Sequence, residues 1–377
     1  MILFIMKRYP QNSILFLLPS VKIGGGNRVV FELANGLIEK YPVEIWYPRG
    51  SGECYYKTAS GLQVRAIGLS GGGLIIRAVN VILLFLLINL SANRFKHIIS
   101  TGQMFGPLLL FIRREPIYNF IQADDFQIFS DLALLRNNFF YGLYKILTFL
   151  SYRYPNVRYI FNSRHTYRRF LFNSKRDCIP PALVRPGVNP GVFNHPPGQN
   201  KTRKNKVHLA YLARFHPVKG LQTMITAFDL LPENIRRQIS VTLVTPDNLD
   251  DYDIPREWHL ESPPNDTALA GILNCSDLFV STSLSEGFGL PALEAMACGC
   301  AVILSENGGC SEYARPGHNC LTYRPGDSRS LAKHIMRLVN DKKIRRHISA
   351  QGIITSKYFL WLRSQEELSR ILNDGKF

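Results

Sequence analysis

The chain has 377 residues, 46% of them hydrophobic, which predicts two domains of ordinary size, each with a proper core. The longest apolar run, residues 81–88, is far shorter than the ~20 residues that cross a bilayer, so we expect no spanning segment. The net charge of +17 is uneven: residues 1–190 hold 23 Lys and Arg against 9 Asp and Glu, whereas residues 191–377 hold 22 against 19. An uneven distribution of net charge gives information about binding partners and not about the fold.

The seven cysteines do not have the spacing of a metal site. Cys298 and Cys300 are only two positions apart, too close for a zinc knuckle, so we expect buried free thiols in a reducing compartment and no bound metal. The apolar start of the chain is cut short by Lys7 and Arg8, which argues against a signal peptide. We expect a cytoplasmic protein, either soluble or peripheral on the cytoplasmic face of the membrane.

The N-terminal half begins with a Rossmann-like pattern. The apolar run at residues 14–19 predicts a buried strand, and it is followed by the loop Gly24-Gly25-Gly26. Asn27 is the predicted N-cap of a helix over residues 28–40, and a second strand follows at 43–47. The loop is not G-x-G-x-x-G and no acidic residue ends the second strand, which disfavours an NAD-dependent dehydrogenase.

Further strands are predicted at residues 62–69 and 97–101. Between them, residues 74–90 form a very apolar helical segment that contains Arg77, Asn80 and Asn89. Packing in the core and contact with a membrane both remain open as interpretations of this helix.

A strand predicted at residues 116–122 ends in polar side chains. Ligands of open parallel sheets bind at the carboxyl ends of strands, so Gln122, Asp124 and Asp125 are candidate site residues. The alternative is a polar loop that caps the next helix.

Residues 132–176 are rich in aromatic and basic side chains, including Arg168, Arg169, Lys175 and Arg176. This pattern suits an anionic membrane surface, a solvated basic face or nucleic acid. No nucleic-acid-binding module is recognisable, so nucleic acid is the least favoured of the three.

A second doubly wound domain is predicted after a linker at residues 195–206. Strands are expected at 207–212, 239–245, 277–280, 301–304 and 321–323, with helices between them, which is the pattern of a parallel sheet. Arg214 and Lys219 follow the first of these strands. We expect domains at 1–190 and 191–355, with a C-terminal segment at 356–377.

Residues 283–299 carry the strongest functional pattern in the chain. Glu286 and Glu294 enclose the turn Gly287-Phe288-Gly289 and the helix start Leu290-Pro291. A strand, a glycine turn and a helix N-terminus make a phosphate site, because free N–H groups and the positive end of the helix dipole meet there. Carboxylates beside a phosphate site make sense if they hold hydroxyl groups, so the stretch predicts a nucleotide-sugar site.

These residues together resemble the retaining glycosyltransferases of the GT-B fold, family 4, also called glycosyl transferases group 1. The resemblance rests on the E-x7-E stretch at 286–294, on ARFHPVKG at 213–220 and on the glycine loop with its helix at 24–37. It is supported by VRPGVNPGVF at 184–193 and by YFLWLRSQEELSRIL near the C-terminus. It implies an α/β fold of two Rossmann-like doubly wound domains facing a cleft, with the C-terminal helix crossing back to the N-terminal, acceptor-binding domain.

The resemblance also implies roles for individual residues. Arg214 and Lys219 would neutralise the donor pyrophosphate, Glu286 would contact the sugar and Glu294 would accept hydrogen bonds from the ribose. Backbone N–H groups from Phe288 to Leu290, beside Gly287 and Gly289, would hold phosphate. Gly25 and Gly26 would let the N-terminal loop approach the same phosphates.

The implied reaction transfers a hexosyl, rhamnosyl or mannosyl group from a nucleotide-diphosphate sugar to a glycan or lipid-linked acceptor, with retention and without a metal or other cofactor. Two departures from the family pattern concern ligand recognition. Residues 121–125, IQADD, match a stretch in which many members have a histidine, and residues 245–248, TPDN, replace a glycine-bearing turn. The alternatives are a sugar-nucleotide epimerase on the same fold and a non-catalytic basic protein that binds membrane or nucleic acid.

Overall fold

The computed structural model describes residues 13–91, 94–113, 117–124, 126, 139–177, 179–195 and 206–374. These residues form two compact units. Unit 1 extends to Arg185 and also includes the C-terminal segment from Trp361, whereas unit 2 is Pro186–Leu360.

Unit 1 is built on a parallel sheet of seven strands among the described residues, in the order β3-β2-β1-β4-β5-β6-β7. The strands are Ser13–Leu17 (β1), Val43–Pro48 (β2), Gln63–Ile67 (β3), Phe95–Thr101 (β4), Ile117–Ile121 (β5), Val157–Phe161 (β6) and Ala182–Leu183 (β7). Strands β1 and β5 are buried along their whole length, as continuous apolar runs covered on both faces should be.

Helices connect these strands. They are Gly25–Leu37 (α1), Leu74–Ser91 (α2), Phe139–Arg153 (α3) and Arg164–Ser174 (α4), with a 3₁₀ segment at Gln103–Phe111. The predicted α2 is confirmed, and it runs without a break through its three polar residues.

Helix α1 begins two residues before the predicted N-cap. The backbone of Gly24 is the cap, and the Asn27 side chain instead donates to the Lys22 carbonyl oxygen at 2.8 Å. The prediction of Asn27 as N-cap is therefore wrong, because the glycines allow the helix to start inside the loop.

The aromatic and basic stretch at 132–176 is not one continuous face. Residues 127–138 lie outside the described residues, and strand β6 lies in the middle of the remainder. Tyr152, Tyr159 and Phe170 pack against one another in the core of unit 1, with ring centroids 4.5–6.2 Å apart. Several aromatics that sequence patterning assigned to a ligand-facing surface therefore stabilise the unit itself.

Unit 2 repeats the architecture with a parallel sheet of six strands, in the order β10-β9-β8-β11-β12-β13. Its strands are Val207–Leu212 (β8), Ile239–Val244 (β9), His259–Glu261 (β10), Leu278–Ser281 (β11), Ala301–Ser305 (β12) and Leu321–Tyr323 (β13). Its helices are Leu221–Asp229 (α5), Glu233–Arg236 (α6), Asp266–Asn274 (α7), Leu290–Ala297 (α8), Ser328–Asn340 (α9) and Lys342–Ser356 (α10). The two doubly wound sheets confirm the predicted fold class.

The described cysteines are free thiols, as expected. Four of them are buried, but Cys54 and Cys275 are exposed, which corrects the expectation of burial for these two.

The last helix, Trp361–Asp374 (α11), belongs to unit 1 although the whole of unit 2 precedes it in the chain. It packs on α1, where the Gln365 amide donates to the Glu32 carbonyl oxygen at 3.0 Å. Leu368 is fully buried on its inner face. The predicted return of the C-terminal helix to the N-terminal domain is confirmed.

Truncating the inner face of α11 should therefore destabilise unit 1. We expect Leu368→Ala to lower the free energy of unfolding by about 2–5 kcal/mol, because it leaves a cavity against α1. Leu362→Ala on the same helix is the matched control, since Leu362 is 64% exposed, and should change it by less than about 0.5 kcal/mol. Urea unfolding of both variants measures this, and equal stabilities would contradict the packing of α11.

Candidate active site

The candidate site lies at the carboxyl edge of the unit 2 sheet. Strands β8 and β11 are neighbours there, although two strands separate them in sequence, so the direction of strand order reverses between them. Such a reversal leaves a crevice where the loops diverge, and ligands of open α/β sheets bind in it. The loops that follow β8, β9, β11 and β12 supply the candidate residues.

Lys219 and Glu286 form an ion pair across the loops after β8 and β11. The Lys219 Nζ atom lies 2.6 Å from Glu286 Oε1, and the side chains are 34% and 19% exposed. Glu286 Oε1 also accepts a hydrogen bond of 2.7 Å from the Ser283 hydroxyl. The structure thus brings together two predicted catalytic residues and fixes the carboxylate with a third that sequence analysis missed.

A backbone contact sets the distance between these two loops. Gly220 has φ of 67°, and a Cβ atom there would lie 2.3 Å from the Thr282 carbonyl oxygen. Only glycine tolerates both the left-handed conformation and that approach. The Thr282 hydroxyl donates to the Lys219 carbonyl oxygen at 2.8 Å and pairs with the buried Tyr211 hydroxyl at 2.7 Å, which holds the loop in place.

Arg214, after β8, pairs with the loop after β9. Its Nε atom donates to Asp247 Oδ2 at 2.8 Å, and the same oxygen accepts from the Phe215 backbone N–H at 2.8 Å. The Thr245 hydroxyl accepts from the Asp247 N–H at 3.0 Å and so orients this carboxylate. The departure at residues 245–248 therefore supplies a partner for Arg214, which is 41% exposed.

The glycine turn after β11 leads into helix α8 as predicted, with proline in its first turn. Gly289 has φ of 88°, and its carbonyl oxygen accepts a hydrogen bond of 2.8 Å from the Tyr313 hydroxyl. A Cβ atom on Gly309 would lie 2.5 Å from the Phe288 nitrogen, so the loop after β12 contacts the turn backbone to backbone. In residues 289–297, all of which are described, no side chain caps the helix and its first turn has no acidic residue. The N-terminal N–H groups of α8 are thus not capped by a side chain, and anion binding there stays a prediction.

Three side chains around this turn are buried. Phe288 is 3% exposed and packs against Tyr313 and Phe359, with centroids 5.6 and 5.9 Å away, so this residue offers its backbone rather than its ring. Glu294, one turn into α8, is 2% exposed. Leu290 is also buried, at the first position of the helix.

Burial also sets the protonation of the groups behind the turn. It raises the pKa of Tyr313 well above its ordinary value, and the nearby Cys310 thiol and Glu286 carboxylate raise it further. Burial raises the pKa of the Cys310 thiol to about 11. Near neutral pH the tyrosine hydroxyl therefore remains a donor, and the thiol is not a thiolate nucleophile.

The candidate residues of unit 1 are placed as follows. The Gln122 amide donates to the Gly26 carbonyl oxygen at 3.2 Å, so these two predicted residues lie together at the carboxyl edge of that sheet. A Cβ atom on Gly25 would contact nothing within 4 Å, which means that unit 1 itself does not require glycine there. Asp124 accepts from Arg169 Nε and from the Asn173 amide, both at 2.7 Å. Asp125 lies outside the described residues.

Sequence reasoning missed three residues that position the site, namely Ser283, Asp247 and Tyr313. The sequence marks the loop of Asp247, because this loop departs from the family pattern. It does not reveal the partner Arg214, which is 33 residues away in the chain. Among the described residues, no group of three or more His, Cys, Asp or Glu side chains could hold a metal ion.

The two doubly wound units and this site define a GT-B fold. Sucrose-phosphate synthase from Thermosynechococcus elongatus has the same fold over 96% of this chain and 98% of its own, with a TM-score of 0.80 and 17% identity. Anabaena HepE, solved in complex with UDP-glucose, matches over 96% of this chain and 99% of its own, with a TM-score of 0.73 and 18% identity.

Residues 195–354, most of which lie in unit 2, match the family described as glycosyl transferases group 1. The serotype-specific mannosyltransferase WbdA of Escherichia coli is 29% identical over 180 residues, which are 44% of this chain and 22% of the relative. The chain spans between 21% and 51% of the length of the first curated relatives it matches.

A side chain at Gly220 should disrupt the contact between the loops after β8 and β11. Gly317→Ala is the matched control, because Gly317 has a similar φ of 76° and open space around its Cβ position. We expect Gly317→Ala to cost about 1–2 kcal/mol of unfolding free energy from the left-handed conformation alone. Gly220→Ala should cost at least about 1–3 kcal/mol more, because of overpacking. Equal losses in urea unfolding would contradict the close approach.

Proposed function

We propose that the protein is a retaining glycosyltransferase that moves a sugar from a nucleotide-diphosphate sugar to a hydroxyl group of a glycan or lipid-linked acceptor. The observation that carries this proposal is the Lys219–Glu286 pair, 2.6 Å between Nζ and Oε1, beside the uncapped N-terminus of α8. A cation and free N–H groups suit a diphosphate, and a hydrogen-bonded carboxylate suits the hydroxyls of a sugar.

The cations stabilise the charge that develops on the leaving nucleotide. Arg214 and Lys219 follow the same strand, and the carboxylates that pair with them accept through one oxygen each. Guanidinium Nη groups and the remaining ammonium hydrogens can then bind phosphate oxygens. Charges that the protein holds in place lower the barrier to breaking the sugar–phosphate bond more than water does, because water must first reorganise around the charge that develops.

Glu286 would hold the transferred sugar, and Glu294 would accept from the ribose hydroxyls. With retention, the leaving phosphate takes the acceptor proton on the face from which it departs, so no second carboxylate is needed to activate the acceptor. We infer that no metal takes part, because cationic side chains and helix N–H groups already supply positive charge for the diphosphate.

We assign acceptor binding to unit 1, with Gln122, Asp124 and Asp125 as candidate residues, and place the acceptor at an anionic membrane surface. The mannosyltransferase name of a relative supports a mannosyl-type donor sugar and a role in surface polysaccharide or glycolipid synthesis. The complex of HepE with UDP-glucose supports a nucleoside diphosphate as the leaving group.

A panel of ligands tests the donor class. We expect one of UDP, GDP, dTDP and ADP to raise the thermal unfolding temperature, with no effect of chelator, because a ligand at 100 times its Kd stabilises by about 2.7 kcal/mol. NAD is the control for a dehydrogenase. A shift with NAD alone, or with none of these ligands, would contradict the proposal and favour a non-catalytic protein.

Site variants test the assigned roles. We expect Arg214→Ala and Glu286→Gln each to lower kcat/KM for sugar transfer by about 10²-fold or more, because each removes a group that contacts the donor. The control Glu233→Gln alters an exposed carboxylate on α6 that pairs with Arg237, and it should retain wild-type turnover. Wild-type turnover in either site variant would show that its role is assigned wrongly. Conversion of the sugar nucleotide to its epimer, without transfer to an acceptor, would instead favour the epimerase alternative.

A further inference from the structure

Helix α2 is unusual because both of its faces are apolar. Among the described residues it is the one helix long and apolar enough to cross a bilayer. Its inner face nevertheless packs on the unit 1 sheet, where Leu84 and Ile88 are fully buried. The buried Asn80 amide accepts from the Leu69 N–H at 2.7 Å and donates to the Arg49 carbonyl oxygen at 2.9 Å. These contacts hold α2 against the sheet along its length, so it does not span a bilayer.

The outer face of α2 is lined with exposed aliphatic side chains. Ile82, Leu86 and Leu90 follow one another at intervals of four residues, which places them in one row along the helix, and Leu74 and Ile75 are exposed in its first turn. Phe111 lies beside the last turn, because the Asn89 amide donates to its carbonyl oxygen at 3.0 Å. We call this surface the apolar ridge; its members are between 55% and 83% exposed and are Leu74, Ile75, Ile82, Leu86, Leu90 and Phe111.

The stretch of sequence that contains the apolar ridge is rich in cations. Between Glu53 and Glu115 the sequence contains seven Lys and Arg and no Asp or Glu. Arg77 is exposed in the first turn of α2. Arg113 is exposed near the C-terminal end of α2, where its backbone N–H donates to Asn89 Oδ1 at 2.9 Å. Cations therefore flank both ends of an aliphatic surface.

We propose that the apolar ridge docks unit 1 on an anionic lipid bilayer, with α2 lying in the plane of the interface. Aliphatic side chains would enter the acyl region while Arg77 and Arg113 remain at the level of the lipid phosphates. This deepens the proposed function, on which it rests, by naming the surface that brings the enzyme to its membrane acceptor.

Charge complementarity favours lipid over a second copy of this chain. A twofold contact through the ridge would bring its flanking cations close to cations of the same kind, and like charges oppose association. An anionic bilayer neutralises every one of them. Protein interfaces also favour aromatic side chains at their centre, whereas the row on α2 is leucine and isoleucine.

The ridge is a better membrane surface than the basic helix α4. Of the four cations predicted to meet lipid there, Arg169 pairs with Asp124, and Arg176 donates to the Tyr152 carbonyl oxygen at 3.1 Å. Both side chains are thus engaged within unit 1. Lipid contact through α2 leaves these bonds intact.

Vesicle binding tests the proposal on the full chain, with vesicles of equal parts phosphatidylcholine and phosphatidylglycerol. Ile82→Gln with Leu86→Gln should weaken binding at least about tenfold, since each methylene buried in lipid changes the partition constant about fourfold. The matched control is Leu230→Gln with Ile354→Gln, two aliphatic side chains of unit 2 that are each 48% exposed. It should bind as the wild type does.

Two further measurements keep the test independent of stability and activity. Ile82→Trp should show a blue shift of fluorescence on vesicles, because the three native tryptophans are at most 5% exposed and give a constant background. Arg77→Gln should weaken binding about fivefold on these vesicles and leave phosphatidylcholine vesicles unaffected.

Wild-type affinity in the Ile82→Gln, Leu86→Gln variant would overturn the proposal, as would a wild-type dimer that this variant dissociates. Thermal shifts with nucleoside diphosphates, measured on the same variant without vesicles, report on donor binding alone. If the wild type also shows no thermal shift with any nucleoside diphosphate, that result counts against the proposed function and not against the proposed role of the ridge.

Discussion

Two close contacts between backbones set the spacing of the loops around the candidate site. The loop after β8 meets the loop after β11 at Gly220, and the loop after β12 meets the turn before α8 at Gly309. Neither contact leaves room for a Cβ atom, so the distance between loops is set by the main chain and not by rotamers. The Lys219–Glu286 pair and the helix N-terminus then have their positions fixed from both sides, which is the rigidity that electrostatic stabilisation of a leaving group requires.

The two units use the same architecture for different chemistry. In unit 2 the polar groups at the sheet edge are held by hydrogen bonds and backbone contacts. In unit 1 the corresponding edge has Gln122 against Gly26, while Asp124 is engaged with α4. The excess positive charge lies in unit 1. The same unit contains α2, the helix with exposed aliphatic side chains. Nucleotide recognition and lipid contact are thus assigned to separate units.

Sequence patterning predicted the elements whose signals are local. Strand β8 was predicted to the residue from one apolar run. Strand β10 was missed because two of its three residues are exposed at the sheet edge, and exposed residues do not form the apolar run that predicts a buried strand. Strand β6 was missed because its aromatic residues were attributed to a surface. The Arg214–Asp247 pair joins two loops through tertiary structure, and no spacing within either loop encodes it.

Both cations of the candidate site have a carboxylate partner within the protein, Asp247 for Arg214 and Glu286 for Lys219. An incoming phosphate therefore competes with built-in counter-ions instead of meeting bare positive charge. Under the proposed function, a diphosphate bound to both cations and to the helix N-terminus would gain more from such an exchange than a single free phosphate, which can replace only part of what the carboxylates provide. On that function the pairs would exclude the abundant small anions of the cell, and the same carboxylates would return to the cations and ease release of the spent nucleotide.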